Sequence, residues 1–299
     1  SSSDASQTSS LRSSNRAHLD IEDNNLPFFG TDLWNMYEIS CLTKTGVPVT
    51  GIGQLAYPCS SKYIVESKSL KLYLNSFNMT KLGKDTLSAL KIMGSTIKAD
   101  LSQLVEAPVQ LSLKQASDPF CHYKASDCLN QRTVFTDGVK SHPGDKFKTL
   151  ETLVDISKVN ITDYQESPGI LNPGPTAGSM EYKFHSSLLK SNCKVTGQPD
   201  WGDVFIWMKT NCEVSPEDLL KYIVSFRGEN HFHEEICETI YKRLKDTYDP
   251  QKLGVSCFYT RRGGIDINPT RVSNEMYTGA TFLNDGINND SYHLKFARQ

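Results

Sequence analysis

The chain has 299 residues, 38% of them hydrophobic and 22% charged, which is enough apolar mass for one large domain or two. A formal net charge of −2 and an isoelectric point near 6.4 leave no basic surplus, so no direct nucleic-acid partner is expected. No stretch approaches the ~20 apolar residues of a membrane span and no hydrophobic signal-peptide core is visible, so the expected location is the cytoplasm, without a membrane partner.

Eight of the first 14 residues are serine, and residues 1–18 are expected to form a disordered tail. Alternation from Val49 to Tyr57 predicts a strand. Within it, Gly51-Ile52-Gly53-Gln54-Leu55-Ala56 matches the Gly-x-Gly-x-x-Ala dinucleotide fingerprint. Tyr57-Pro58 follow at once and no helical period develops, so that fingerprint is rejected. A helical pattern carrying Leu70, Tyr73, Ser76 and Phe77 comes next, then a helix over 84–103. Residues 166–178 hold three prolines and three glycines and are expected to be irregular. A second strand runs from Asp203 to Thr210, and Leu219, Tyr222, Ser225 and Phe226 repeat the earlier helical pattern at the same spacing. A helix over 230–247 follows, with Ile236, Ile240 and Leu244 on one face. Strand pairs with helices on one side, occurring twice, predict an α+β fold with halves at 19–160 and 161–299.

The chemistry of the two halves is complementary. Cys193 lies between Lys190 and Lys194 and ahead of Gly197 and Pro199. That composition predicts an exposed loop, with the lysines favouring the reactive thiolate. Asp200, seven positions on, is placed to exchange a proton at whatever Cys193 attacks. The first half has no counterpart of this pair, but it carries Glu66-Ser67-Lys68-Ser69 where the second half reads Ser215-Pro216-Glu217-Asp218. We infer a site assembled between the halves. His233 and Cys237 have i, i+4 ligand spacing and Cys121-His122 adds two donors, yet no compact set of three or four emerges, so no metal is expected. The eight cysteines, Cys41, Cys59, Cys121, Cys128, Cys193, Cys212, Cys237 and Cys257, are far apart and read as reduced thiols.

The segment from Leu188 to Gly202 resembles the catalytic loop of the NADPH-dependent 7-cyano-7-deazaguanine reductases, the nitrile reductases of queuosine biosynthesis. Tyr63 to Asn78 is similar to the signature motif of that family, and Ser225-Phe226-Arg227 through Phe232-His233-Glu234 to its substrate-base motif. Tyr259 to Pro269 is similar to its cofactor segment, and with Leu26 to Trp34 the resemblance runs from about residue 26 to about residue 271. It implies two tandem tunnelling-fold modules of the GTP cyclohydrolase I-like kind, each an antiparallel sheet with helices on one face, and a homodimer. It also implies reduction of a nitrile to an aminomethyl group by two NADPH, through a thioimide on Cys193, with no metal. Cys193, Asp200 and His233 would then be catalytic. Val65, Glu66, Ser67, His233 and Glu234 would hold the base, where a carboxylate suits its adjacent N–H donors. Ser67, Lys68, Arg261, Arg262 and Gly263 would hold the cofactor, the arginines through their planar forks. The sequence departs from the family in one place. Many members have a cysteine two residues after the Phe-His-Glu glutamate, where this chain has Ile236, with Cys237 one later. No disulfide to the catalytic thiol is therefore expected. Three other readings stay open: a zinc-dependent cyclohydrolase or pterin-type enzyme, a cysteine hydrolase or amidotransferase, and a purine-binding module with a structural Cys193. Stoichiometric zinc, turnover without nicotinamide, and binding without an adduct would respectively mark them.

Overall fold

In the computed structural model, which describes residues 9–116 and 147–275, one antiparallel seam joins two similarly built halves. The chain opens with β1 (Ser9–Leu11) and the short helix α1 (Ser13–Arg16). The first half continues with β2 (Phe29–Leu42), β3 (Pro48–Pro58), β4 (Tyr63–Val65), α2 (Ser67–Asn75), α3 (Thr86–Val105) and β5 (Gln110–Gln115). The second half has β6 (Lys148–Thr149), α4 (Leu150–Leu153), β7 (Pro173–Cys193), β8 (Pro199–Val214), α5 (Pro216–Ser225), β9 (Asn230–His231), α6 (His233–Tyr248), β10 (Lys252–Tyr259) and β11 (Ile265–Val272). The main sheet runs β5-β3-β2-β11-β10-β8-β7-β6, with β9 beside β7, and β1 pairs separately with β4. The seam is β2 against β11, from Met36 opposite Ile265 to Phe29 opposite Val272.

Local sequence explains the elements. Asp85 and Ser88 form a reciprocal capping box that starts α3, and Leu90, Met93, Ile97 and Leu101 form its buried stripe. At the start of α6 the Glu235 carboxylate accepts a hydrogen bond from the Phe232 N–H at 3.0 Å, and Ile236, Ile240 and Leu244 are buried on one face. Both helices begin two to three residues later than periodicity alone suggests, because the caps set the starts. α2 and α5, together with the residues directly after them, carry the repeated Leu-Tyr-Ser-Phe pattern, each after a hairpin of long strands. The rejected fingerprint at Gly51-Ile52-Gly53 lies inside β3, as its rejection required. Each half packs its helices over its own apolar cluster, one around Trp34, Met36, Leu90 and Ile97, the other around Val204, Ile206, Ile240 and Leu244. Among the described residues no helix is long and apolar enough to cross a membrane.

Two expectations need correction. Residues 166–178 are not irregular throughout, since β7 begins at Pro173; its pairing with β8 shifts register between Pro173 and Thr176 and again before Met180, which accommodates Gly174, Pro175 and Gly178. The larger correction concerns the supposed tail, 1–18. From residue 9 it is part of the fold, while residues 1–8 lie outside the described residues. The serines supply no core, but two arginines enter it, with Arg12 2% exposed and Arg16 1%. Arg12 pairs with Asp32, and Arg271 Nη1 donates to the other Asp32 oxygen at 2.8 Å. Arg16 donates to both oxygens of Glu238, at 2.9 and 2.8 Å, and to the Cys59 carbonyl at 2.7 Å. Arg271 also donates to Glu238 Oε1, at 2.8 Å from Nη2. Gly30 lies opposite Arg271, where a Cβ would come within 2.0 Å of the Thr270 carbonyl oxygen and 3.0 Å of Arg271 Cδ, so only glycine lets the strands and the arginine pass.

Removing one member of a buried ion pair leaves its partner uncompensated, at a cost of about 3–5 kcal/mol. Arg16→Met is therefore expected to lower the unfolding free energy by about that amount in urea titrations. A loss under about 1 kcal/mol would make the segment peripheral.

Candidate active site

Three chain segments bring the site residues to one end of the sheet. The first is the β7–β8 hairpin. Cys193 is the last residue of β7 and is 7% exposed, so the thiol does not stand on an exposed loop as its Gly/Pro surroundings suggested. The turn begins only after it: the Cys193 N–H donates to the Gln198 carbonyl at 2.8 Å, and the Gly197 N–H donates to the Cys193 carbonyl at 2.9 Å. Ser191 is opposite Asp200 in the ladder, so Cys193 and Asp200 are diagonal neighbours on one face. The second segment is the N-terminus of α6, where His233 and Glu234 are the first two helical residues. The third is the turn between β10 and β11. Gly263 and Gly264 have φ of +60° and +76°, and Arg262 and Ile265 exchange backbone hydrogen bonds across them. This is a two-residue hairpin turn with both central residues left-handed, the conformation glycine adopts without strain.

Asp200 is where the segments meet. Its Oδ1 lies 2.9 Å from Arg262 Nη1 and its Oδ2 lies 3.5 Å from His233 Nε2. The His233 ring packs on Tyr259, with centroids 3.9 Å apart. Burial pushes the Cys193 thiol up, but hydrogen bonding to Thr196, to Arg262 and to the Val195 backbone outweighs this and holds it below the ordinary thiol range. The lysines are not the cause, contrary to the reading of the sequence. Lys194 Nζ is 3.0 Å from the buried Glu235 carboxylate, and Lys190 Nζ donates to Asn192 Oδ1 at 2.6 Å and to the Arg227 carbonyl at 2.9 Å. Each ammonium is already engaged.

The two glutamates expected to hold a base are in different states. Both Glu66 oxygens accept backbone N–H groups of its own helix, from Lys68 at 3.0 Å and Ser69 at 2.6 Å, so Glu66 serves as the N-cap of α2. Glu234 is 1% exposed, and among the described residues its Oε1 has no hydrogen-bond partner. Burial, reinforced by the nearby Asp32 charge, pushes its carboxyl up to about 8. Val65 lies buried beside this region, its N–H donating to the Tyr57 hydroxyl at 3.3 Å, and the Tyr57 phenol lies within electrostatic reach of Glu234. Tyr57 thus links Val65 of the first half to the surroundings of Glu234 in the second.

Around the residues expected to hold a cofactor, α2 approaches the β10–β11 turn through Lys71. Lys71, one helical turn beyond Ser67 and the exposed Lys68, packs against Gly263 and pairs with Glu38 at 3.2 Å. The Arg261 guanidinium lies over the Tyr37 ring, 4.7 Å from its centroid. These cations suit a ligand rich in phosphates. His233 and Cys237 do not share a ligand face: Cys237 Sγ faces the core, 3.6 Å from the Val255 carbonyl oxygen and 3.5 Å from that of Pro269. Among the described residues no group of three or more His, Cys, Asp or Glu side chains is placed to hold a metal. Cys121, His122 and Cys128 lie outside the described residues. The sequence reading missed Tyr57 and Tyr259, which act through contacts remote in sequence, and Thr196, which acts locally. Thr196 could have been found as a hydroxyl in the turn directly after the thiol.

The N-terminal part of the nitrile reductase (7-cyano-7-deazaguanine reductase) family profile matches residues 4–113, and the QueF-like protein profile matches residues 199–278. The NADPH-dependent 7-cyano-7-deazaguanine reductase of Ralstonia nicotianae is 40% identical over 248 residues, covering 83% of this chain and 79% of that protein. The enzyme of the same name from Dechloromonas aromatica is 40% identical over 256 residues, covering 86% and 80%. That from Rickettsia massiliae is 38% identical over 267 residues, covering 89% and 86%. A crystal structure of an archaeosine synthase QueF-like in the apo form aligns with 34% of this chain and 97% of that one, at 18% identity and a TM-score of 0.28, too low to argue fold from.

Two outcomes follow from the electrostatics. Glu234 has its folded pKa raised from 4.5 to about 8, so its stabilising contribution is complete below pH 4.5 and is lost as pH rises through about 8. Urea midpoints should therefore show Glu234→Gln gaining on the parent across that window, with the gap constant above it. A gap that does not change with pH would place the carboxylate in contact with water. Arg262→Ala should raise the Cys193 pKa and slow iodoacetamide alkylation at neutral pH, the two proteins converging in alkali; equal rates throughout would remove Arg262 from thiol activation.

Proposed function

The chain belongs to the NADPH-dependent 7-cyano-7-deazaguanine reductases, and from that premise we propose that it reduces the nitrile of 7-cyano-7-deazaguanine to the 7-aminomethyl base of queuosine biosynthesis. The observation that most supports this reading is the thiolate-favouring Cys193 beside Asp200, together with a buried carboxylate oxygen, Glu234 Oε1, left without a partner. A guanine-like base carries adjacent N–H donors that would satisfy that oxygen, and their donation favours the carboxylate over the acid.

As Cys193 adds to the nitrile carbon, its proton passes to Asp200 and from there to the nitrile nitrogen. The product is a thioimide, with atoms and charge balanced and no external acid. NADPH, when bound, supplies hydride to that carbon. With a proton added at nitrogen, the carbon–sulfur bond breaks, Cys193 regains its proton and an imine remains. A second hydride and proton complete the amine. His233, packed at a tilt on Tyr259 and 3.5 Å from Asp200, relays these protons and shields the imine from water. Arg262 holds Asp200 in position, and Arg261 and Lys68, with Ser67 and Gly263, form the cofactor side. On the base side are Val65, Glu66, Ser67, His233 and Glu234.

We read the repeated hairpin–helix–helix units as two tandem tunnelling-fold modules and the working unit as a homodimer. Among the described residues the sheet ends in β5 and β6, whose outer edges a second copy could pair.

Mixing the protein with the nitrile base without cofactor should add the full mass of the base in intact-mass analysis, and Cys193→Ala should abolish the adduct. An adduct persisting in the Ala variant would overturn the nucleophile assignment. Asp200→Asn should lower turnover by about 10² to 10⁴ while base affinity changes little. Turnover near that of the parent would leave Asp200 a structural role only.

A further inference from the structure

We propose that Arg12 is a positioning residue for the base-binding side of this site: anchored on Asp32, it holds Tyr57, and through Tyr57 the Val65 backbone, against Glu234. The proposal rests on the base-site reading given above.

Arg12 grips the first half at several points. Its Nη2 pairs with Asp32, and its Nε donates to Ser61 Oγ at 3.0 Å. The Ser61 hydroxyl in turn donates to the Tyr63 carbonyl at 2.9 Å, at the start of β4. The Arg12 N–H donates to the Lys62 carbonyl at 3.3 Å, and β1 forms a ladder along β4 from Ser9 opposite Val65 to Leu11 opposite Tyr63. The guanidinium carbon lies 5.7 Å from the centroid of the Tyr57 ring, whose hydroxyl accepts from the Val65 N–H. β4, the strand that delivers Val65 and Glu66, is thus held by the β1 ladder on one side and the Arg12–Ser61 chain on the other.

Neutralising a buried aspartate is not the full account of this arginine. Asp32 has a second partner in Arg271, at 2.8 Å, and would keep it without Arg12. What Arg271 does not replace is the contact with Ser61 and the Tyr57 ring. The groups acting on Glu234 from the elements around it are Asp32 of β2, Arg12 ahead of α1, Arg271 of β11, Tyr57 of β3 and Tyr259 of β10. Asp32 favours the protonated acid, whereas Arg12 and Arg271 favour the carboxylate. Loss of Arg12 therefore loosens the Tyr57–Val65 side and leaves Glu234 protonated to higher pH.

The test measures the dissociation constant of the nitrile base by fluorescence, from about pH 6.5 to about pH 9 across the Glu234 titration, in the full-length Cys193→Ala protein, where the base binds without reacting. Arg12→Gln and Arg12→Lys are placed in that background, and each is also made with Cys193 intact to give the KM for NADPH. Arg12→Gln should weaken base binding about tenfold near neutral pH, equivalent to ~1.4 kcal/mol, and move the acid limb of binding to higher pH. The KM for NADPH should stay within about twofold of the parent, since the cofactor-side cations are untouched. Arg12→Lys keeps the charge and should return the limb towards the parent while affinity stays reduced, because one ammonium does not span Asp32 and Ser61. If Arg12→Gln does not fold, Arg12→Lys decides by the same contrast between base and NADPH. Base binding and pH limb equal to the parent would overturn the positioning role, as would equal losses for base and NADPH accompanied by a lower melting temperature. A parent protein that binds no base at any pH would instead overturn the base-site reading itself.

Discussion

Pairing of buried charges at the seam between two hydrophobic cores is the constraint on which this fold depends. Arg12, Arg16 and Arg271 meet Asp32 and Glu238 in a buried cluster, and the five residues come from the N-terminal segment, β2, α6 and β11. Taking such charges out of water costs several kcal/mol per ion, which is recovered only where each is paired and hydrogen-bonded. Here Glu238 holds Arg16 and Arg271 together while Asp32 holds Arg12 and Arg271. Arg271, hydrogen-bonded to both carboxylates, couples the first half to the second. An all-apolar seam could be as stable, but it would not fix the segments in one register so strictly.

That register positions the site. Once β11 lies on β2, the glycine turn before β11 packs on Glu38 and Lys71 of the first half, and Arg262 reaches Asp200 of the second. The N-terminus of α6 then sets His233 over Tyr259 and buries Glu234 close to the ion cluster. The same burial that gives Glu234 a raised pKa leaves its Oε1 unsatisfied, an unfavourable state in the free protein that a ligand with N–H donors would relieve. On the proposed reading, stability is given up where the base binds, and the ion cluster beside it holds that arrangement in place.

Much of the scaffold was legible in the sequence because periodicity is a local signal. The strand around Val49 to Tyr57, the stripe Ile236, Ile240 and Leu244, and the repeated Leu-Tyr-Ser-Phe pattern all appear as elements, and Gly51-Ile52-Gly53 lies in a strand as Tyr57-Pro58 implied. The hairpin register also makes Cys193 and Asp200 neighbours, as their spacing around Gly197 and Pro199 suggested. What was not legible depends on partners far along the chain. Serine-rich composition concealed Arg12 and Arg16, whose role becomes visible only once Glu238, more than 200 residues away, is in place beside Arg16. Lys194 looked like an activator of the thiol until Glu235, 41 positions on, was found bound to it. Nothing in the sequence marked the Glu66 carboxylate as also capping the helix that starts directly after it.

The central claim is that one chain brings both halves to the base, with Glu234 as the acceptor waiting for it. A crystal structure of the covalent Cys193 adduct would test this most directly. The account predicts the N–H edge of the base within hydrogen-bonding distance of Glu234 Oε1, with Val65 of the same chain lining the pocket beside it. A base turned away from Glu234, or one flanked only by residues of the second half, would contradict it.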